Sequence, residues 1–455
     1  MEILNYLVNL GAAVMMPIIF TVFALVLGVK FGKALKSGLM VGIGFTGLNV
    51  IISLLTDNLG PAAEQMVENF GLNLRVLDVG WPAASAIAFG SAIGVLIIPV
   101  CIIVNLLMLF TKTTKTINVD IWNYWHFAFT GSMVYLITND IVVSLIMAAI
   151  NMIVIMVIAD RTAPMVEREL GLPGVSIPHA FTGSFAPIAY ILNAIMDKIP
   201  GINKIKLDEK EFQKKFGIFG DPAILGTLVG ILLGVVAGYD IKGSLNLAIV
   251  MAAVLVLTPK MAAVLMEGLM PISETVQEKI QDKFKGNSKL YIGLDSAVGV
   301  GNPVTLTISL VMVPLTILLA FIIPGNEFLP FASLAGLPFM FVLIAPLCRG
   351  DFFRTLVVGV IIVSGGLLIG TSIAPIFTQA ASAANFSVPE GSSLISSIDY
   401  GSSWLPFVIV KVAEYKWIGV AISAVIAAGL MVWNRGLIIK EDKGDTNLDL
   451  KTNEI

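Results

Sequence analysis

Long apolar runs dominate this chain and limit what it can fold into. A helix that crosses a bilayer needs about 20 predominantly apolar residues, and about eleven runs of that kind are present. Hydrophobic residues make up 57% of the sequence and charged residues only 13%, a balance that one soluble core could not bury. The sequence therefore predicts an all-α polytopic membrane protein with about eleven transmembrane helices. The predicted spans are residues 11–29, 38–55, 84–110, 122–138, 141–159, 222–238, 244–262, 303–323, 330–347, 355–374 and 405–433.

Charges in the loops orient these spans, because Lys and Arg concentrate on the cytoplasmic side. Positive charge follows the first, third and fifth spans, whereas the loop after the second begins acidic and the short loop after the fourth has no positive charge. The N-terminus is therefore expected outside and the C-terminus in the cytoplasm. The first run lacks a basic region and a cleavage site, so it is expected to remain as a span. A net charge of −3 without a basic face argues against nucleic acid as a partner.

Residues 175–196 are apolar but fit no crossing in this scheme, since both flanks are basic. Pro178, Gly183 and Pro187 interrupt the helical pattern, and irregular backbone at membrane depth needs protein or a water-filled cavity to satisfy it. We therefore expect a re-entrant segment that lines a cavity. The predicted organisation is a first repeat at residues 1–196, a basic cytoplasmic loop at 197–217, a second repeat at 218–435 and a polar cytoplasmic tail at 436–455.

A weak internal match underlies the division into two repeats. Leu77-Asp78 aligns with Leu294-Asp295, and Asp140 aligns with Asp351. An odd number of spans separates the two copies, so they are expected to be inserted upside down relative to each other. Inverted repeats are typical of alternating-access transporters, in which substrate binds near the midplane where broken helices meet.

Polar residues in the first half are candidates for that site. Ionisable groups at membrane depth cost at least about 2.5 kcal/mol, so each needs a partner or a function. Asp78 either caps the helix that follows or contacts substrate, and Trp81 either binds substrate or anchors at the membrane interface. Asn123 and His126 lie one helical turn apart in an aromatic stretch, where they either bind a sugar or polyol or belong to the core.

The second group of candidates lies in interrupted segments. His179 belongs to the predicted re-entrant segment. Asp295 and Asn302 lie in GLDSAVGVGNP, which indicates an unwound segment entering a span and is the repeat partner of the Asp78 stretch. We expect this stretch to contact substrate or to cap a helix. Asp399 and His179 both follow a Ser-Ile step, and the repeat would place them at equivalent positions. Asp399 belongs either to the site or to a solvated loop.

The sequence contains no motif for several other kinds of chemistry. There is no phosphate-binding loop, no metal-ligand cluster and no evident enzymatic nucleophile, so we expect neither a cofactor nor a metal. Cys101 and Cys348 lie in or beside apolar runs and are interpreted as packing residues without a disulfide.

Several long polar stretches carry a family resemblance. They are GPAAEQMVENFGLNLRVLDVGWP, NVDIWNYWHFAFTG, IPGINKIKLDEKEFQKKFGIFGDP, GYDIKG and YIGLDSA. Together they resemble the galactitol-type IIC subunit of the bacterial phosphoenolpyruvate-dependent sugar phosphotransferase system, in the ascorbate–galactitol superfamily. The resemblance runs from Leu10 to about Arg435. It implies a homodimeric carrier in the lipid of the inner membrane, with a core domain that holds substrate and a scaffold domain that forms the dimer.

The resemblance also implies partners and site residues. Galactitol or a related alditol would enter and be phosphorylated by separate IIA and IIB proteins, IIB acting through its phosphocysteine, since this chain has no evident phosphoryl-carrying residue. Related ascorbate carriers hold substrate with histidines and an aspartate in broken segments. By position, His126, His179 and Asp295 match those residues.

Two other functions fit the same residues. The first is an ion-coupled secondary transporter of a polyol or small metabolite, with Asp78, Asp295 or Asp399 as a proton or sodium site. The second is a sensor or scaffold that has lost transport.

Overall fold

The structure is a computed structural model that describes residues 12–70, 74–118, 120–202, 205, 217, 221–283, 290–300, 302–386 and 394–442. In these ranges helices make up most of the chain, and the strands are only two or three residues long. The predicted all-α class is therefore confirmed. The basic loop predicted at 197–217 lies mostly outside the described residues, as does the tail after residue 442.

The first half of the chain contributes seven described helices and one 3₁₀ helix. In chain order they are α1 (Ala12–Val26), α2 (Phe31–Phe70), α3 (Gly80–Phe89), α4 (Ala92–Phe110), the 3₁₀ helix Ile121–Tyr124, α5 (Trp125–Thr138), α6 (Ile141–Glu169) and α7 (Ala180–Met196).

The second half contributes seven more described helices and three 3₁₀ helices. They are α8 (Pro222–Val236), α9 (Ile241–Lys283), the 3₁₀ helix Ser296–Gly299, α10 (Pro303–Ile322), the 3₁₀ helix Ala332–Gly336, α11 (Leu337–Leu347), α12 (Phe352–Ala383), the 3₁₀ helix Tyr400–Ser402, α13 (Trp404–Ala413) and α14 (Lys416–Asp442).

Among the described residues, six short strands join the two halves in two small parallel sheets. They are β1 (Val76–Asp78), β2 (Thr116–Asn118), β3 (Val175–Ser176), β4 (Tyr291–Gly293), β5 (Phe328–Leu329) and β6 (Leu394–Ser396). In one sheet β1 lies between β5 and β6, and in the other β4 lies between β2 and β3. Each half therefore places one strand between two strands of the other half.

Two of the predicted spans are each divided into two helices. The run 84–110 breaks between α3 and α4, where Ser91 caps α4 by accepting a hydrogen bond from Gly94 N at 3.1 Å. Only glycine fits at position 94, because a Cβ there would lie 2.1 Å from the carbonyl oxygen of Phe89. The run 405–433 breaks between α13 and α14, where Lys416 has a positive φ of 51°.

The helices have the length and surface of a multi-pass membrane protein. Among the described residues, five are long and apolar enough to cross a bilayer: Phe31–Leu59, Ile141–Glu169, Pro303–Ile322, Phe352–Ala383 and Lys416–Asp442. Six further apolar helices are 10–17 residues long. Large apolar side chains such as Ile103, Val425 and Trp433 are exposed on the outer surfaces of the helices, where lipid can cover them.

A buried aspartate ties the last helix to β2. Asp160 on α6 accepts hydrogen bonds from Lys115 N at 3.1 Å, Thr116 Oγ1 at 2.8 Å and Asn434 Nδ2 at 2.7 Å. Because the carboxylate is buried, these donors replace the water that it loses. The network fixes β2, and β2 leads directly into the segment that carries Asn123 and His126.

Candidate substrate-binding site

His126 lies at the start of α5 and is fully buried. Its Nδ1 lies 2.8 Å from the carbonyl oxygen of Asn123. A carbonyl only accepts, so Nδ1 carries the hydrogen and Nε2 of the neutral ring is an acceptor. Within the described residues Nε2 has no hydrogen-bond partner, and neither does Oδ1 or Nδ2 of Asn123. Buried polar atoms in such positions usually have partners, so these atoms are available to a ligand.

His179 and Asp295 meet beside His126. The ring centroids of the two histidines are 4.6 Å apart, with the rings nearly perpendicular. His179 caps α7 through its Nδ1, which accepts from Thr182 N at 3.3 Å. Its Nε2 lies 3.8 Å from Oδ2 of Asp295, and the Asp295 Oδ1 accepts from Ala297 N at 2.7 Å. The structure therefore brings together three residues that are far apart in the sequence.

Aromatic rings surround this group. Trp81 contacts Trp122 edge-on at a centroid distance of 5.9 Å and Phe339 at 6.3 Å. Phe339 in turn contacts His179 at 6.3 Å, and Trp125 stacks on His126 at 3.9 Å. Aromatic faces can pack on the C–H groups of a small polar ligand, and the histidines, Asn123 and Asp295 can form hydrogen bonds with its polar groups. Trp81 thus connects to His179 through Phe339, and its assignment to the site stays a prediction.

The other three predicted site residues act in the structure as local caps or hydrogen-bonding centres. Asp78 is fully buried and accepts four hydrogen bonds. Asn302 caps α10 by accepting from Thr305 N at 3.2 Å. Asp399 accepts from Gly401 N at 3.2 Å, and its Oδ2 has no partner among the described residues.

Sequence reasoning did not identify two residues that contact the group. Tyr400 follows Asp399, and its ring centroid lies 4.9 Å from that of His126. Its hydroxyl accepts from Asn151 Nδ2 and from Thr130 Oγ1 on the neighbouring helices. Asp120 precedes the 3₁₀ helix that carries Asn123, and its carboxylate interacts with Asp295. The available signal for Asp120 was an acidic residue directly before an aromatic stretch.

An enclosed cluster of hydrogen-bonding groups between membrane helices is typical of a permease for a small polar solute. Comparison with known proteins identifies the kind of permease. The family model for the sugar-specific permease component of the phosphotransferase system, EIIC-GAT, matches residues 6–391. The chain belongs to this family.

Two curated relatives match the chain along nearly its whole length. The galactitol-specific EIIC component of the phosphotransferase system from Escherichia coli K12 is 40% identical over 446 residues, which cover 97% of this chain and 98% of that protein. A putative permease IIC component from the same strain is 40% identical over 431 residues, covering 95% and 98%. The resemblance drawn from the sequence motifs is therefore confirmed.

Proposed function

We propose that this phosphotransferase-system permease carries galactitol or a closely related alditol. The observation that supports the substrate class is the pair of buried side chains, Asn123 and His126, whose polar atoms lack partners among the described residues. These atoms are neutral donors and acceptors, which suit hydroxyl groups. The 40% identity with a galactitol-specific component supports the same alditol.

We assign substrate contact to Asn123, His126, His179 and Asp295, with Trp81 packed on the carbon chain. These residues include no Lys or Arg. Without Lys or Arg, the proposed site has no fixed positive charge to pair with a carboxylate of the ligand, whereas its neutral donors and acceptors suit hydroxyl groups. The proposed site therefore favours a neutral alditol over a sugar acid.

Competition for binding tests the substrate class. Radiolabelled galactitol bound to the purified protein should be displaced by unlabelled galactitol, whereas galactonate should need an at least about 100-fold higher concentration. Galactonate is a matched control because it keeps the configuration of the four secondary hydroxyls and replaces one terminal hydroxymethyl group with a carboxylate. Equal displacement by the two compounds, or no galactitol binding at all, would contradict the proposal.

The two halves are proposed to be inverted repeats. Each half contains, in the same order, two helices, a short strand, interrupted helical segments and a long helix that an aspartate caps. Asp140 caps α6 and Asp351 caps α12, and the internal match aligns these two residues. The reciprocal placing of β1 and β4 as central strands supports the same relation. Transport would then move the site between the two sides of the membrane by rearranging the halves.

Partners are expected to supply the phosphoryl group. Components of this type cooperate with IIA and IIB proteins, and the two cysteines of this chain are buried. We propose that a IIB phosphocysteine phosphorylates the alditol on the cytoplasmic side of the inner membrane. The proposal includes a homodimer in lipid with its N-terminus outside and its C-terminus in the cytoplasm, as the loop charges predict. The comparisons do not favour the ion-coupled alternative.

A further inference from the structure

Asp78 has no acceptor capacity left for a substrate. Its Oδ1 accepts from Gly80 N at 3.1 Å and from Ser333 Oγ at 2.6 Å. Its Oδ2 accepts from Phe331 N and Ser333 N, both at 2.8 Å. The residue is 0% exposed. Two donors on each oxygen compensate for the burial of this carboxylate, so its role lies in the segments that provide the donors.

Asp295, its counterpart in the internal match, is arranged differently. Both aspartates accept from the backbone N–H two residues further on, Asp78 from Gly80 and Asp295 from Ala297. The remaining oxygen of Asp295 faces Nε2 of His179 at 3.8 Å, and the side chain is 15% exposed. One member of the pair is therefore closed by protein donors, while the other is open towards the site.

The donors to Asp78 belong to segments that carry the aromatic rings of the site. Gly80 has a positive φ of 74° and directly precedes Trp81. The 3₁₀ helix that contains Ser333 runs into α11, which carries Phe339. A Cβ on Gly336 of that 3₁₀ helix would lie 3.1 Å from Cδ1 of Trp81. Trp81 therefore packs directly on the segment that Asp78 holds.

A third segment is connected through the hydroxyl of Ser333. Ser333 Oγ donates to Asp78 and also accepts from Ile398 N at 3.1 Å. Ile398 lies two residues before Tyr400, whose ring contacts His126. Asp78 and Ser333 thus form one hydrogen-bonded centre that joins the segments of Trp81, Phe339 and Tyr400.

We propose that Asp78 is a positioning residue, which sets the aromatic rings of the site without touching the substrate. The inference rests on the proposed function for the identity of the site. It assigns different roles to two aspartates that the internal match makes equivalent: Asp295 binds a hydroxyl, and Asp78 places Trp81, Phe339 and Tyr400 around the carbon chain.

Transport of deoxy analogues separates positioning from direct contact. In Asp78→Asn an amide nitrogen replaces one carboxylate oxygen and cannot accept the hydrogen bonds that this oxygen accepts. We therefore expect KM for galactitol to rise about tenfold. The increase should be the same factor for 1-deoxy-, 2-deoxy- and 3-deoxygalactitol, because no single hydroxyl is lost. Ser333→Ala should produce a smaller uniform increase, and the double variant should be less than additive. If Asp78→Asn no longer distinguished galactitol from only one of the deoxy analogues, Asp78 would contact the hydroxyl that this analogue lacks. That result would overturn the proposal.

A spectroscopic measurement tests the same inference independently of transport. In protein labelled with 5-fluorotryptophan, the Trp81 resonance is assigned by its loss in Trp81→Phe. It should shift in both Asp78→Asn and Ser333→Ala, while the exposed Trp417 and Trp433 signals stay in place. The helix-capping variant Asp140→Asn is the matched control and should leave Trp81 unchanged. An unshifted Trp81 signal in folded Ser333→Ala would overturn the positioning role, whereas failure of the wild type to transport galactitol would count against the proposed function alone.

Discussion

Replacing His126 with alanine is expected to lower galactitol uptake at low substrate concentration by about 100-fold. The variant removes a buried acceptor, Nε2, that has no other partner among the described residues. It also removes the ring that stacks on Trp125 at 3.9 Å. Initial rates of radiolabelled uptake, normalised to the amount of folded protein in the membrane, measure the effect.

Two further variants make the His126 experiment specific. His126→Gln keeps an acceptor in the side chain and should recover part of the uptake. Thr138→Val on the same helix removes a hydroxyl that bonds the backbone oxygen of Val134 and the backbone nitrogen of Asp140, and it should change uptake less than about twofold. If folded His126→Ala transports at the wild-type rate, His126 is a core residue and its assignment to the site is wrong.

Asp295→Asn is expected to raise KM for galactitol by about tenfold or more, because hydrogen bonds to a charged acceptor are the stronger ones. The substitution preserves the shape of the side chain and an oxygen that can accept from Ala297 N, so the local turn is retained. What it removes is a charged acceptor opposite His179. Uptake measured across a range of galactitol concentrations gives KM and the maximal rate separately.

Asp140→Asn provides the matched control for this variant. Asp140 also accepts from backbone N–H groups at the start of a helix, at Val142 and Val143. Asp140→Asn should lower the stability of the protein slightly, because the cap is weaker, and should leave KM for galactitol unchanged. A similar change in KM for both variants would mean that Asp295 is only a cap, and we would then remove it from the proposed site.

Much of the membrane character could be predicted from the sequence, whereas the helix boundaries could not. Apolar content identifies a buried or lipid-facing segment but does not show where a helix ends within it. The break before α4 depends on Ser91 as a cap and on the close approach of Gly94 to a carbonyl. Both signals are short, and both lie inside a run that is predominantly apolar.

The composition of the site was predicted better than its geometry. The sequence contains only two histidines, and both lie in apolar segments, so His126 and His179 could be predicted as site residues. Their contact at 4.6 Å depends on the packing of α5 against α7, which no local pattern encodes. Tyr400 was missed for the same reason, since it contacts His126 although the two residues are 274 positions apart in the sequence.

The aspartates show a second limit of local patterns. An aspartate before a helical turn fits a cap and a ligand equally well, so Asp78, Asp295 and Asp399 could not be separated from sequence alone. Counting the donors around each carboxylate separates Asp78, with four hydrogen bonds, from Asp295, which faces a histidine. That difference in surroundings supports our assignment of different roles.

The most direct test of the proposed function is to identify the product of uptake. Membrane vesicles that contain this chain would be loaded with the candidate IIA and IIB proteins and the phosphoryl-donor system, and then given radiolabelled galactitol. We predict galactitol phosphate inside the vesicles, and none when IIB is omitted or its phosphocysteine is replaced by serine. Accumulation of unmodified galactitol without IIB, abolished by collapsing the proton gradient, would contradict phosphorylation-coupled transport and favour an ion-coupled carrier.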